Sequence, residues 1–344
     1  MVTAIGIMGL GKYLPMLAGQ DSFVFGRAPT CNLQVDLKHV ALHHARLDRI
    51  KDADGGIRVE NISDGKNDIV FNGEIAKKTF TMQAGDWFEI GEYRYFALSD
   101  EMRLAQPVIM EILGFKRQIA TDELLITSAI NSSKHIMLTG ERGSDQERLG
   151  HAIHRISHRR ENPFRILPDT PKIDSTTRKI IEECYHGTLM VSLYERGALS
   201  QRLVGMITDP SARVRLVICA PTRHKIAASF SSTTTDHATE TALTPLRERT
   251  AEIPSLMDQW FIESGSPIRF GALPEATRTR LKSYTWPNNL LELKQSANYF
   301  VELAKHPSAR QAARCSNITR GQLRTWCDRL NISIKLPLIP NIDK

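Results

Sequence analysis

The sequence predicts a multidomain fold in which an all-β sandwich is followed by an α/β domain and then by helices. Short alternating apolar runs, separated by polar turns, fill residues 20–100 and are typical of a β-sandwich. From about residue 105, short apolar runs alternate with segments of helical spacing, which favours a parallel α/β sheet. Residues 245–305 and 308–332 have helical patterns.

Length and composition limit the number of domains and the class of protein. The 344 residues exceed one typical core, so two or three domains are expected. No apolar run approaches the roughly 20 residues of a membrane helix, and the first eight residues lack a secretory pattern. We therefore expect a cytoplasmic protein with no membrane partner. The net charge of +7 is compatible with nucleic-acid binding but does not establish it.

The cysteines do not suggest a metal site. They are odd in number and scattered along the chain, at Cys31, Cys184, Cys219, Cys315 and Cys327. Such spacing is typical of reduced intracellular thiols. No metal is predicted.

The strand candidates of the sandwich are bounded by turn residues. They are 23–25, 44–47, 57–59, 69–71, 87–90 and 93–96. The Asn72-Gly73 pair predicts a tight turn.

Residues 1–100 carry features that resemble the forkhead-associated (FHA) family. In chain order these are Gly26-Arg27, the segment 40–45 that contains His44, Asn67 and Asn72-Gly73. The resemblance implies a sandwich whose loops at one end bind a phosphothreonine peptide.

The resemblance also implies roles for individual residues. Arg27 would contact the phosphate, Asn67 would hold the peptide backbone and His44 would brace the binding loop. Ala41 stands where the family has a phosphate-binding serine, and Lys66 could replace part of that contact as a point charge. The alternative is a sandwich that binds a partner without phosphate.

Residues 140–147 read Gly-Glu-Arg-Gly-Ser-Asp-Gln-Glu, a phosphate-binding loop without its lysine. In a working loop, backbone N–H groups wrap the phosphates and a lysine neutralises them. Asp145 takes the place of the second glycine and Gln146 that of the lysine. A carboxylate repels a triphosphate and an amide cannot screen its charge. The residues of this degenerate loop are Gly140, Gly143, Gln146 and Glu147.

Five motifs in order resemble the AAA+ module of bacterial enhancer-binding proteins, the activators of sigma-54 RNA polymerase. They are 140–147, the helix pattern 152–159, Gly187-Thr188-Leu189-Met190-Val191, Pro245-Leu246-Arg247-Glu248-Arg249 with Glu252-Ile253-Pro254, and Trp286-Pro287-Asn288-Asn289-Leu290-Leu291-Glu292-Leu293. The resemblance implies a P-loop α/β domain with a helical lid.

The sequence departs from that family at the residues that carry out ATP hydrolysis. The family's Asp-Glu pair is Ser192-Leu193, its lid arginine is Leu291 and its sensor asparagine is Pro221. The stretch 164–187 is too short for the loop that grips the sigma factor. Phosphoryl transfer depends on these charges, so we predict no enzyme activity and no cofactor. ATP binding without hydrolysis is the less favoured alternative.

Residues 312–332 resemble a Fis-type helix-turn-helix. Thr319 would cap the second helix, and Arg320, Gln322 and Arg324 would face DNA together with it. The small core would consist of Ala313, Ile318, Leu323 and Leu330. The alternative is a helical pair that only packs on the lid.

The predicted domains are an FHA-like sandwich (1–103), a degenerate AAA+ domain (104–235), a helical lid (236–305) and a helix-turn-helix with tail (306–344). The Ser- and Thr-rich stretch 229–244 is predicted to be a loop. The expected function is a bacterial transcription regulator that reads phosphothreonine and binds DNA. The alternative is a phosphopeptide adaptor in a Ser/Thr kinase or secretion-system pathway, without DNA binding. Expected partners are DNA, a phosphothreonine protein or kinase, and a second copy or a competent AAA+ activator.

Overall fold

The computed structural model describes residues 1–51, 55–63, 68–71, 73–76, 78–130, 134–167, 174–195, 198–306, 309–315 and 318–330, with Ala309 and Arg320 described by their backbones alone. The chain divides into two compact units. The first comprises Met1–Met137, Glu147–Cys219 and His224–Thr241, and the second Leu138–Gln146, Ala220–Arg223 and Ala242–Lys344. Within the described ranges, no helix combines the length and hydrophobicity needed to span a bilayer.

The first unit begins with the predicted sandwich. Its strands are β1 (Val2–Ile7), β2 (Lys12–Pro15), β3 (Ser22–Gly26), β4 (Leu33–Gln34), β5 (Ala45–Arg49), β6 (Ile57–Asn61), β7 (Val70–Phe71), β8 (Glu74–Ile75), β9 (Thr79–Met82), β10 (Trp87–Ile90) and β11 (Tyr93–Ser99). One sheet has the order β2-β1-β11-β10-β7-β8 and the other β4-β3-β5-β6-β9. Gly73, in the turn between β7 and β8, has a φ of 89°.

Alternating apolar side chains fill the space between the two sheets. Phe23 and Phe25 of β3 are buried while Ser22 is exposed, as the period of two along a strand requires. The ring of Phe25 meets Phe88 and Tyr95 edge-on, at centroid distances of 6.0 and 5.1 Å. Edge-to-face rings at this spacing stabilise a core beyond the area they bury.

The α/β domain follows directly. Its elements are α1 (Asp100–Leu113), α2 (Gln118–Ile130), β12 (Ile136–Thr139), α3 (Gln146–Ile156), β13 (Phe164–Ile166), α4 (Ser175–Glu183), β14 (Thr188–Ser192), α5 (Gln201–Ile207), β15 (Arg215–Ala220), α6 (Arg223–Ala227), α7 (Ser232–Asp236) and β16 (Thr239–Ala242). The strand order is β13-β14-β15-β12-β16, and β13, β14 and β15 pair in parallel.

Strand β12 lies where the order of the sheet reverses. Its neighbours are β15 and β16, although the next strand in the chain, β13, lies at one edge. In open α/β sheets such a switch point is the usual place for a ligand. The loop 140–147 begins directly after β12.

The remaining helices belong to the second unit. They are α8 (Ile253–Glu263), α9 (Glu275–Ser283), α10 (Asn289–Lys305), α11 (Ala309–Cys315) and α12 (Arg320–Arg329), with 3-10 turns at Leu246–Glu248, Thr250–Glu252 and Phe270–Ala272. The predicted fold class is therefore confirmed: an all-β sandwich is followed by an α/β domain with a parallel sheet and helices.

The prediction of a loop at 229–244 was wrong, because α7 and β16 lie there. The Ser231 hydroxyl accepts a hydrogen bond from Thr234 N–H and caps α7. Thr241 is buried within β16. Serine and threonine are common in turns, but serine also begins helices and threonine suits strands.

Candidate functional sites

At one end of the sandwich, β3 leads into Arg27. A side chain at Gly26 would place its Cβ 2.3 Å from the carbonyl oxygen of Leu42, so only glycine fits. The Arg27 N–H donates to the Ala41 carbonyl at 2.9 Å, which holds two loops together. The Arg27 side chain is exposed and has no hydrogen bond or ion pair with any described residue. Its guanidinium is therefore presented to solvent from a fixed backbone.

His44 is fully buried beneath these loops. Its Nδ1 accepts a hydrogen bond from the Ala41 N–H at 3.0 Å, and its carbonyl accepts from the N–H groups of Ile62 and Ser63. Burial lowers the pKa of His44 to about 4. The ring is therefore neutral at pH 7, and with Nδ1 accepting, the proton is on Nε2. His44 lies where it can brace the loops, and that role remains a prediction.

The other predicted peptide contacts are only partly visible. Lys66, Asn67 and Asn72 lie outside the described residues. Two groups that sequence reasoning did not single out, Thr30 and His43, are exposed at this end, with Thr30 Oγ1 and His43 Nε2 3.3 Å apart. No sequence signal marked them, because both are common surface residues and only the folded loops bring them together.

In the second unit, two residues of the loop 140–146 have left-handed backbone conformations. Gly143 has a φ of 78°, and a Cβ there would lie 2.1 Å from the Asn288 carbonyl oxygen. Asp145 has a φ of 61°, the left-handed conformation that the missing glycine would adopt readily. Aspartate tolerates this region better than most residues. Gly140 donates its N–H to the Ala220 carbonyl at 3.0 Å.

The side chains of this loop turn back onto its own backbone. Gln146, in the position of the lysine, is buried and donates from Nε2 to the Glu141 carbonyl at 2.8 Å. The Ser144 hydroxyl donates to the same oxygen at 2.9 Å. Glu147 is exposed in the first turn of α3. The amide of Gln146 thus tightens the loop.

An ion pair and an amide join the loop to the lid within the second unit. The Glu141 carboxylate pairs with Arg247, and this hydrogen bond lowers the pKa of Glu141. Asn289 is buried; its Nδ2 donates to the Arg142 carbonyl at 2.8 Å and its Oδ1 accepts from Leu246 N–H at 2.9 Å. Asn289 has a φ of 45°, in the left-handed region that asparagine tolerates better than most residues.

The lid also bonds the loop through its backbone. The N–H of Leu291 donates to the Gly143 carbonyl at 3.1 Å, while the Leu291 side chain is 51% exposed. The position of the family's lid arginine is therefore apolar and faces away into solvent. At the end of β14, Ser192 is half-buried and Leu193 fully buried, so this strand end supplies no carboxylate.

The C-terminal helix pair has a well-defined second helix. Thr319 caps α12, as the sequence predicts: its Oγ1 accepts from Gln322 N–H at 3.1 Å, and Gln322 Oε1 accepts from Thr319 N–H at 2.8 Å. Gln322 was predicted to face DNA, and its side-chain oxygen takes part in this capping box. Arg324 is exposed, 4.0 Å from the Asp328 carboxylate. The side chain of Arg320 lies outside the described residues.

The opposite face of α12 packs on the lid. Trp326 donates from Nε1 to the Ser296 hydroxyl at 2.9 Å and packs edge-on against Tyr299 and Phe300. Arg329 donates to the Glu292 carboxylate at 3.1 Å. Three of the four predicted core residues, Ala313, Leu323 and Leu330, are buried, and Ile318 is half-buried. The aromatic anchor at Trp326 was not predicted, since the family pattern does not mark it.

The chain resembles several solved structures at low sequence identity. No curated protein sequence matches it. Among solved structures, NtrX from Brucella abortus in complex with ADP is 14% identical, with 67% of this chain and 73% of that chain covered and a TM-score of 0.45. The FHA domain of CT664 from Chlamydia trachomatis is 14% identical over 28% of this chain and 95% of that chain, with a TM-score of 0.25. EmbR from Mycobacterium tuberculosis, in complex with a low affinity phosphopeptide, is 16% identical over 28% of this chain and 24% of that chain, with a TM-score of 0.25.

The family comparison is local to the sandwich. The FHA domain family matches residues 23–91, from β3 to the end of β10. This range contains Gly26, Arg27 and His44, on which the resemblance was based. The N-terminal sandwich of this chain is therefore an FHA domain.

Proposed function

We propose that this chain is a regulator that acts by recognition: its FHA domain reads a phosphothreonine protein, and its C-terminal helix pair binds DNA. The observation that carries the proposal is the exposed Arg27 guanidinium, held by the Gly26 and Ala41 contacts within the matched FHA range. A fixed, exposed guanidinium is suited to a doubly charged phosphate.

The site at this end also contains polar groups that can share the phosphate. Ala41 has no hydroxyl, but Thr30 and His43 lie on the two loops that Arg27 and Ala41 join. Because a hydroxyl or imidazole contact to phosphate is charge-assisted, either group could offset the missing serine. Lys66 and Asn67, which are assigned from the sequence alone, complete the proposed set of phosphopeptide contacts.

The central domain acts, in this proposal, as a scaffold that does not hydrolyse ATP. The Gln146 amide bonds the loop's own Glu141 carbonyl, and Arg247 is paired with Glu141. Ser192 and Leu193 offer no carboxylate for Mg²⁺. Hydrolysis needs charge stabilisation at all of these points.

DNA binding rests on the charge of the helix pair. Residues 309–330 contain five arginines and a single acidic residue, Asp328. Arg324 and Thr325 of α12 are exposed, whereas Trp326 is buried. A basic helix with a free face is suited to the major groove, and a second copy would be needed for a two-fold site.

The adaptor function without DNA binding is favoured by one observation. Trp326 and Arg329 fasten α12 to the lid through Ser296 and Glu292, so the helix has a structural role whether or not it meets DNA. In that case the exposed arginines are a solvated surface.

Peptide binding tests the first part of the proposal. A phosphothreonine peptide array, followed by fluorescence anisotropy with the selected peptide and its unphosphorylated form, should show binding of the phosphorylated form alone. Arg27→Ala should weaken it roughly 10- to 150-fold, the loss of about 1.5–3 kcal/mol from one charge-assisted contact. Arg58→Ala, an exposed arginine of β6, is the matched control. Equal binding by both variants would contradict the assignment.

DNA capture separates the two functions. Fragments of genomic DNA retained by the full chain should be released on raising salt, and Arg320→Ala with Arg324→Ala should lower the salt slope by about 2. Lys12→Ala with Arg58→Ala removes the same charge from the FHA domain and should leave the slope unchanged. Binding that is indifferent to the first pair would favour the adaptor.

A further inference from the structure

The junction between α10 and α11 brings together three side chains with metal-binding atoms. Glu302 lies in the last turn of α10, His306 follows at its C-terminal cap, and Cys315 ends α11. Their donor atoms, a carboxylate oxygen, an imidazole nitrogen and a thiol sulfur, all lie within 4.8 Å of one another. The sequence did not predict this set, because Cys315 lies nine residues beyond His306 in a different helix.

The distances suit a small tetrahedral ion. His306 Nε2 and Glu302 Oε2 are 3.2 Å apart. Zinc bonds of about 2.0–2.3 Å to nitrogen, oxygen and sulfur place neighbouring ligand atoms roughly 3.3–3.8 Å apart in a tetrahedron. Closing the set onto one ion therefore requires only small side-chain rotations. The Cys315 thiol is exposed, so an ion has access from solvent.

The remaining contacts of the group are compatible with an ion. Lys305 Nζ lies 3.5 Å from Glu302 Oε1, the oxygen that does not face His306. This leaves Oε2 as a ligand atom, while the ammonium fixes the orientation of the carboxylate. A metal ion would take the place of the proton shared between His306 Nε2 and Glu302 Oε2, because both groups bind metals in their deprotonated forms.

We propose that Glu302, His306 and Cys315 form a zinc site. The mixed oxygen, nitrogen and sulfur set suits Zn²⁺ better than Mg²⁺ or Ca²⁺, which prefer oxygen ligands alone. Three protein ligands leave a fourth position for water. The ion links the last turn of α10 to the end of α11 and so fixes the helix that precedes α12. The site stands whether or not α12 binds DNA.

Cobalt substitution tests the site on the full-length chain. One equivalent of Co²⁺ added to the metal-free protein should produce a thiolate-to-cobalt charge-transfer absorption. One equivalent of Zn²⁺ should displace the cobalt and remove this absorption. Cys315→Ser should abolish this absorption. His306→Ala and Glu302→Gln should each weaken Zn²⁺ binding at least about tenfold in a chelator competition.

The controls are matched by residue type. Cys31→Ser removes a cysteine of the FHA domain, and His237→Ala removes an exposed histidine next to α7; both should bind Zn²⁺ like the wild type. Because the three ligands are partly or fully exposed, their variants should fold, which far-ultraviolet circular dichroism verifies. The proposal is overturned if no cobalt–thiolate absorption appears, or if any of the three ligand variants retains wild-type affinity.

Discussion

Asn289 offers the sharpest test of how the lid holds the degenerate loop. Replacing it with alanine removes the 2.8 Å bond to the Arg142 carbonyl and the 2.9 Å bond from the Leu246 N–H. Leu246 is fully buried, so its N–H loses its partner at a cost of about 1–2 kcal/mol. The bond to Arg142 contributes about 1 kcal/mol, because that exposed residue can turn to water.

Backbone strain adds to this loss. Asn289 has a φ of 45°, and alanine tolerates the left-handed region less well, by about 1 kcal/mol. The three contributions predict that Asn289→Ala lowers the free energy of unfolding of the second unit by about 3–4 kcal/mol. Asn288→Ala is the matched control, because the Asn288 side chain is exposed and makes no hydrogen bond to a described residue.

Urea unfolding followed by tryptophan fluorescence measures the change. Three of the four tryptophans, Trp260, Trp286 and Trp326, belong to the second unit, so the signal mainly reports that unit. Hydrogen exchange at Leu246 should accelerate in Asn289→Ala and not in Asn288→Ala. If the two variants unfold within about 0.5 kcal/mol of each other, Asn289 does not join the loop to the lid as argued.

Three further predictions concern other parts of the chain. The FHA domain should lose stability as the pH falls from about 6.5 towards about 4, because His44 binds a proton in the unfolded chain but stays neutral when it is buried. Thermal melts of His44→Gln should show a smaller change of stability with pH over that range. Trp326→Ala should loosen α12 by about 3–5 kcal/mol and expose it to limited proteolysis, whereas Thr325→Ala, at an exposed neighbour, should leave the cleavage rate unchanged. Gln146→Lys should restore no phosphate release from ATP, because Ser192 and Leu193 still supply no carboxylate; steady turnover by this variant would refute the account of the loop.

Much of the architecture could be predicted from periodicity. The apolar alternation of 23–25 and 87–90 appears as β3 and β10, and the apolar run at 136–138 appears as β12 before the glycine loop. The alternation works because one face of β3 and of β10 is buried, and the continuous apolar run works because β12 is buried on both faces. The prediction for 229–244 was wrong because serine and threonine occur in turns, helix caps and strands alike.

The candidate sites were less predictable, because their chemistry depends on contacts between distant segments. Gly143 was identified from its motif, but its close approach to the Asn288 carbonyl joins residues 145 positions apart. Gln146 was recognised as a missing lysine, yet its bond to the Glu141 carbonyl follows only from the folded loop. Gln322 was predicted to face DNA, and the structure shows its oxygen in the helix cap.

The residue types of this chain determined by themselves that an aspartate and a glutamine stand where a phosphate-binding loop has a glycine and a lysine. They also determined the sandwich, since Gly26, Arg27 and His44 fall in the register of an FHA domain. Only the tertiary structure decided how Asn289 bridges the loop and the lid, how Trp326 anchors α12, and that Glu302, His306 and Cys315 meet. The physical reason is that hydrogen bonding and metal coordination act over a few ångströms in space, and only folding converts separation along the chain into proximity.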